Sequence, residues 1–222
     1  MNNTLDTIFD TTDGIVSYAR AYTSYLSHLM DNLPYEHIAD VVEIFCSARD
    51  QGKTIFFLGN GGSAAIASHF ANDLAIGTRL TEKPFKAISL TDNNAILTSL
   101  GNDEGYEHIF RKQLEVYLEP GDVVVVISSS GNSPNILEAV RFAKGRGNQT
   151  VAFIGFDGGQ LKGAATCAVH VKSALGDYGP CEDIHTVLNH LIASFLYREL
   201  LPTNKTEVEA PKNIRFDNVA NL

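Results

Sequence analysis

Apolar residues recur along this chain at two different periods. Between Gly14 and Leu33, residues Ile15, Tyr18, Tyr22, Tyr25, Leu26 and Met30 return every few positions. Between Tyr35 and Gln51, residues Ile38, Val41, Val42, Ile44 and Phe45 do the same, and Gly52 follows. That spacing predicts two helices, each with one apolar stripe, the second closed by a glycine cap. Such a pair serves helix–helix packing or contact between subunits.

From Lys53 the texture changes to short apolar runs separated by helical patterns. Strands are predicted at Thr54–Leu58, Lys86–Leu90, Val123–Ser128, Thr150–Ile154 and Cys167–Val171. Helices are predicted near Ser63–Ala75, Asn93–Ser99, Tyr106–Tyr117, Ser133–Lys144 and Glu182–Leu201. Continuously apolar, β-branched strands alternating with helices make a parallel sheet covered on both faces, with right-handed crossovers. The expected fold class is therefore α/β: a doubly wound, five-stranded, flavodoxin-like parallel sheet with an N-terminal helical extension. The expected divisions are residues 1–52 as helices for oligomer contacts, 53–201 as a ligand-binding domain, and 202–222 as a polar C-terminal tail. Ile214 and Phe216 would let that tail dock on a neighbour.

Composition narrows the class. The chain has 222 residues and a formal net charge of −9, so no basic stripe is available for nucleic acid. Its longest apolar run, Val123–Ile127, is too short to span a bilayer. The start, MNNTLDTIFD, has no positive segment followed by an apolar one, which argues against a secretory signal. Three scattered cysteines, Cys46, Cys167 and Cys181, imply no disulfide framework and fit reduced thiols in the cytoplasm. A small anionic ligand remains compatible, because a few backbone N–H groups suffice to hold it.

Two loops look built for one. Gly59-Asn60-Gly61-Gly62-Ser63 lies directly after a predicted strand and before a helix. Glycines there permit close backbone approach, and the helix start presents free N–H groups to an anion. Ser128-Ser129-Ser130-Gly131-Asn132-Ser133 occupies the same kind of junction, followed by Pro134 at the first helical position. So many hydroxyls exceed what helix capping requires, and they make a phosphate cradle that needs no lysine. Both loops sit at carboxyl ends of strands, where open α/β sheets bind their ligands. Asn60, Gly61, Gly62, Ser63, Ser128, Ser129, Ser130, Asn132 and Ser133 are the candidate binding residues.

GNGGS, SSSGNS and the Asp157-Gly158-Gly159 turn together resemble the SIS-domain phosphoheptose isomerases, from about Lys53 to Leu200. The segments Ser68–Ala71 and Gly101–Asp103, and the helix bearing His190, add to the resemblance. It implies the SIS fold, a sugar-phosphate substrate, aldose–ketose isomerisation, and a homotetramer with sites at subunit interfaces. Asp92, after the second strand, resembles the family's sugar-binding aspartate, and Asn93 stands beside it.

Isomerisation needs a base to take a proton from carbon beside a carbonyl, and an acid or electrophile to stabilise the enediol. His69 and Asp73 are four residues apart on one helix and share a face. Glu182, Asp183, His185 and His190 form a second cluster on or just before the last helix. The resemblance implies Asp73 and His190 as the acid–base pair, and His69, Asp73, Glu182 and His190 as ligands of Zn²⁺. At two of these positions the chain departs from the family, which has glutamate at 73 and glutamine at 182; Glu182 is also expected at the substrate. Gly179 stands where the family has a sugar-binding aspartate, and Arg79 is more distantly spaced than the family's arginine after this helix.

The leading expectation is conversion of sedoheptulose 7-phosphate to D-glycero-D-manno-heptose 7-phosphate. Two alternatives stand beside it: a non-catalytic SIS-type regulator that binds a phosphosugar or a protein, and an isomerase of another sugar phosphate.

Overall fold

The unbroken valine run becomes the centre of a parallel sheet. The computed structural model describes residues 3–201, so the predicted tail, with Ile214 and Phe216, lies outside the described residues. Strands β1 (Thr54–Gly59), β2 (Lys86–Ser89), β3 (Val123–Ser128), β4 (Gln149–Ile154) and β5 (Cys167–His170) pair in the order β2-β1-β3-β4-β5, all parallel. Every residue of β3 is buried, which is why its sequence shows no polar alternation. This is the flavodoxin-type order, and it reverses direction between β1 and β3.

Helices cover both faces. On one side α3 (Tyr35–Asp50), α4 (Gly61–Asn72) and α9 (Tyr178–Leu200) share a core with the sheet. On the other, α6 (Ile109–Tyr117) and α7 (Pro134–Gly145) pack with Phe56, Leu58, Val124 and Val126. An aromatic cluster ties α3 and α4 to the sheet. Phe57 lies 4.9 Å from Phe70 between ring centroids, and Phe70 lies 5.6 Å from Phe153. Phe45 stands edge-on to both Phe57 and Phe70.

Several elements depart from the sequence expectation. α3 buries Ile38, Val41, Phe45 and Ala48 in this core, so it belongs to the sheet's cover as well as to the N-terminal extension. By contrast, α2 (Gly14–Asp31) buries only Leu29. Two short helices went unforeseen, α1 (Thr4–Thr11) and α8 (Leu161–Ala164). The first is local in origin: Asn3 and Asp6 form a reciprocal capping box, and none of its residues is buried. The helix after the first loop does not run on to Ala75. It passes at Asp73 into a π-helical turn, Asp73–Gly77. α9 begins at Tyr178, before Glu182, because Pro180 is tolerated in a first turn.

His185 of α9 is buried behind Phe153, with ring centroids 6.4 Å apart. Burial pushes its pKa down from 6.5 to about 4. It is part of the core.

Phe70→Ala should destabilise the fold by about 3–5 kcal/mol, read from urea unfolding, because it empties the middle of the aromatic cluster. Between pH 6.5 and about 4 the unfolded chain takes up a proton at residue 185 that the folded chain resists. Stability should therefore fall by roughly 3 kcal/mol as pH drops through this window. The acid loss should shrink in His185→Met, measured by urea unfolding at both ends of the window.

Candidate active site

The strand order places the two predicted loops side by side, at the carboxyl ends of the paired strands β1 and β3. A reciprocal amide pair locks them together. Asn60 donates to Asn135 Oδ1 and Asn135 donates to Asn60 Oδ1, each at 2.9 Å. Asn60 Oδ1 also accepts from the Tyr106 hydroxyl at 3.0 Å. Gly61 and Gly62 form the first turn of α4, and Ser63 is buried within it.

The resulting pocket, of about 140 Å³, is lined by Asn60, Ser63, Ser128, Ser129, Ser130, Ser133, Tyr178 and Glu182, with Ile127 at its base. Ser133 caps α7 by position, yet its side chain makes no capping bond and stays available to a ligand. The Ser129 hydroxyl is buried with no hydrogen-bond partner among the described residues. Ser128 Oγ accepts from the Gly131 amide at 3.1 Å, and Ser130 Oγ from the Asn132 amide at 3.3 Å, so these two shape the loop. Asn132 turns away from the pocket. It accepts from the Gln160 amide at 3.1 Å and so ties the loop to the Asp157–Gly159 turn. Gly131 has a φ of +62°, and a Cβ there would collide with the Gly158 carbonyl.

Asp92 and Asn93 do not line this pocket. Asp92 is exposed and accepts from the Ser68 hydroxyl. Asn93 caps α5 (Asn94–Asp103), accepting from the Ile96 amide at 3.1 Å. The cap takes up its side-chain oxygen.

The second cluster forms where α4 and α9 pack against each other. Asp73 Oδ2 lies 3.2 Å from His69 Nε2 and 3.8 Å from His190 Nε2. The two imidazoles stand edge to face, their centroids 5.0 Å apart. One ligand atom from each of the three residues falls within 4.8 Å of the others. Zinc bonds of about 2.0–2.1 Å at tetrahedral angles put ligand atoms roughly 3.3 Å apart, so these donors fit a divalent transition metal.

Glu182 stands outside that set. It lies eight residues before His190 on α9, about 12 Å along the axis, and its carboxylate packs against Gly62, where a Cβ would push it aside. Three of the four expected metal ligands therefore meet in this chain, and the fourth faces the serine pocket. Burial, and secondarily the charge of Asp183, push the Glu182 pKa up. Beside Gly179, the Tyr22 hydroxyl donates to Asp183 Oδ2 at 2.5 Å.

A cleft of about 340 Å³ opens from Asp73 and His190 and is lined further by Gly77, Arg79, Ser194, Tyr197 and Arg198. Arg79 follows the π turn and reaches the cleft in a left-handed conformation, with φ of 52°. A side chain not anticipated is Asn189, which donates to Asp73 Oδ2 at 3.1 Å. A lone amide in the apolar run Leu188–Ile192 was the signal for it. For Asn135 no local signal exists, because its partner lies on another loop. The arrangement sets a serine-lined pocket beside a carboxylate between two imidazoles, group types suited to proton transfer beside a carbonyl.

Comparison with known proteins agrees with this geometry. Residues 17–155 match the SIS domain family. A probable phosphoheptose isomerase of Thermoplasma acidophilum is 40% identical over 165 residues, covering 74% of this chain and 90% of that protein. The phosphoheptose isomerase of Clostridium acetobutylicum is 39% identical over 172 residues, covering 78% of this chain and 87% of that protein. The solved phosphoheptose isomerase of Neisseria gonorrhoeae superposes with a TM-score of 0.73 at 30% identity, covering 82% of this chain and 96% of that one. With its serine cradle and its His69–Asp73–His190 cluster in place, this chain belongs to the SIS-domain family, among the phosphoheptose isomerases.

Proposed function

We propose that this protein is an aldose–ketose isomerase that converts sedoheptulose 7-phosphate to D-glycero-D-manno-heptose 7-phosphate. One observation carries the reading. The serine pocket and the His69–Asp73–His190 cluster lie at two ends of the same α4–α9 seam, separated by about 12 Å along α9. That is the scale of an extended seven-carbon sugar phosphate. Its phosphate would be held by Ser63, Ser128, Ser129, Ser130 and Ser133 and by the amides opening α4 and α7. Its C1–C2 end would reach Asp73 and His190.

There, one of these two groups takes a proton from C1 of the ketose, and a proton returns at C2 of the enediol. The other passes the hydroxyl proton from O1 to O2. His69, Asp73 and His190 would hold the metal, with zinc the best match to two imidazoles and a carboxylate. When bound, it supplies Lewis-acid polarisation of the carbonyl and enediol oxygens. Glu182 would meet the substrate instead, through the oxygens next to the phosphate.

A homotetramer is part of this reading, supported by the apolar side chains that α2 and α9 leave exposed: Ile15, Val16, Leu191 and Phe195. Three free cysteines favour a reducing compartment, the cytoplasm. Among the described residues, no helix is long and apolar enough to cross a membrane. Glu182 favours one alternative, another sugar phosphate, because it puts a carboxylate where the family has a neutral amide.

The test is incubation with sedoheptulose 7-phosphate in D₂O, followed by NMR, with added Zn²⁺ and with chelator. Deuterium uptake and an aldose product are expected, slowed by the chelator. Both should fall about 100-fold or more in Asp73→Asn and in His190→Ala. Binding without exchange under both metal conditions would refute catalysis on this heptose, and a panel of pentose and hexose phosphates would then decide the alternative. Gly131→Ala should raise KM about tenfold with little change in kcat, because it strains the phosphate loop and leaves the proton-transfer groups alone.

A further inference from the structure

Asn189 is fully buried in α9, one position before His190. Its neighbours along the helix, Leu188 and Ile192, are core residues. Its Oδ1 has no hydrogen-bond partner among the described residues. A buried amide half unsatisfied in this way costs stability, whereas a leucine of similar size would fill the place without loss. Folding alone therefore gives no reason for an amide here.

The amide's one bond goes to the functional cluster. Asn189 Nδ2 donates to Asp73 Oδ2 at 3.1 Å, and that same oxygen lies 3.2 Å from His69 Nε2 and 3.8 Å from His190 Nε2. The other oxygen, Oδ1, meets only the neighbouring Asn72 amide, at 3.2 Å. The buried donor thus selects which oxygen faces the imidazoles. An amide suits this task better than a cation, because it fixes the carboxylate without neutralising the charge that a metal ion would use. Asp73 also needs such help. It opens the π turn, and its side chain is a methylene shorter than the family's glutamate, so its reach is set by backbone and neighbour together.

We infer that Asn189 is a positioning residue that holds Asp73 Oδ2 at the meeting point of His69 and His190, so that the metal set is assembled before the ion arrives. This rests on the metal reading given under the proposed function, and it adds a residue that touches neither metal nor substrate. Hydrogen-bond partners that orient a ligand typically govern metal affinity by tenfold or more.

The test measures zinc affinity of the full chain by competition with a chromogenic chelator, alongside thermal unfolding and kinetics. Asn189→Leu should weaken zinc binding by about 10- to 100-fold while its Tm is retained or raised. At saturating zinc, kcat should fall about tenfold with KM changed by less than roughly twofold. In an Asp73→Ala background, Asn189→Leu should have no further effect on zinc affinity, since its action runs through that carboxylate. If Asn189→Leu does not fold, Asn189→Ser, too short to reach Asp73, should show the same loss of affinity. Wild-type zinc affinity in the folded variant, or an equal loss with and without Asp73, would overturn the inference. A wild-type protein that binds no divalent ion would instead remove the metal reading beneath it.

Discussion

The pairing of β1 with β3 is the constraint on which the rest of this molecule depends. Consecutive strands are ordinarily neighbours, but here β2 and β3 flank β1 on opposite sides. That reversal leaves a crevice between the loops after β1 and β3, with no crossover helix to fill it. Both loops lead directly into helices, α4 and α7. The pocket's position thus follows from topology, and the Asn60–Asn135 amide pair ties its two walls together. Among the described residues, no lysine or arginine lines this pocket, whose polar groups are hydroxyls, the Asn60 amide and the Glu182 carboxylate.

The second constraint is the packing of α4 against α9. These two helices run side by side, so Gly62 meets Glu182 at one end of the seam and Asp73 meets Asn189 and His190 at the other. A single helix pair therefore sets both the position of the GNGGS loop and the position of the His69–Asp73–His190 cluster. Phe70 anchors α4 to the sheet through Phe57, while Ile184, Leu188 and Ile192 anchor α9. The face of each helix that bears the cluster is held by the apolar stripe on its back.

The two departures from the family's residues acquire separate meanings in this geometry. At position 73 the shorter carboxylate opens a π turn and accepts a hydrogen bond from a buried amide, Asn189. At position 182 the carboxylate faces the serine pocket and gains no counter-charge there, and desolvation pushes its pKa up. The first departure stands within the His69–Asp73–His190 cluster, and the second stands at the serine pocket.

Much of this was legible in the sequence. The five strands are short apolar runs bounded by turn residues, and such runs have few ways to be buried except in a covered parallel sheet. GNGGS and SSSGNS were legible because glycine and serine at a strand-to-helix junction answer to local backbone geometry. His69 and Asp73 were legible as a pair because helical periodicity alone puts residues four apart on one face. What depends on contacts between distant segments was not legible. The Asn60–Asn135 lock, the separation of Glu182 from the metal set and the bond from Asn189 to Asp73 each join residues more than seventy positions apart or set a register between two helices. Nor did the pattern reveal the π turn at Asp73, since apolar spacing reports which face is buried and not how the backbone bonds close. Local chemistry was written in the order of the residues; the strand order and the α4–α9 packing decided which of those residues meet.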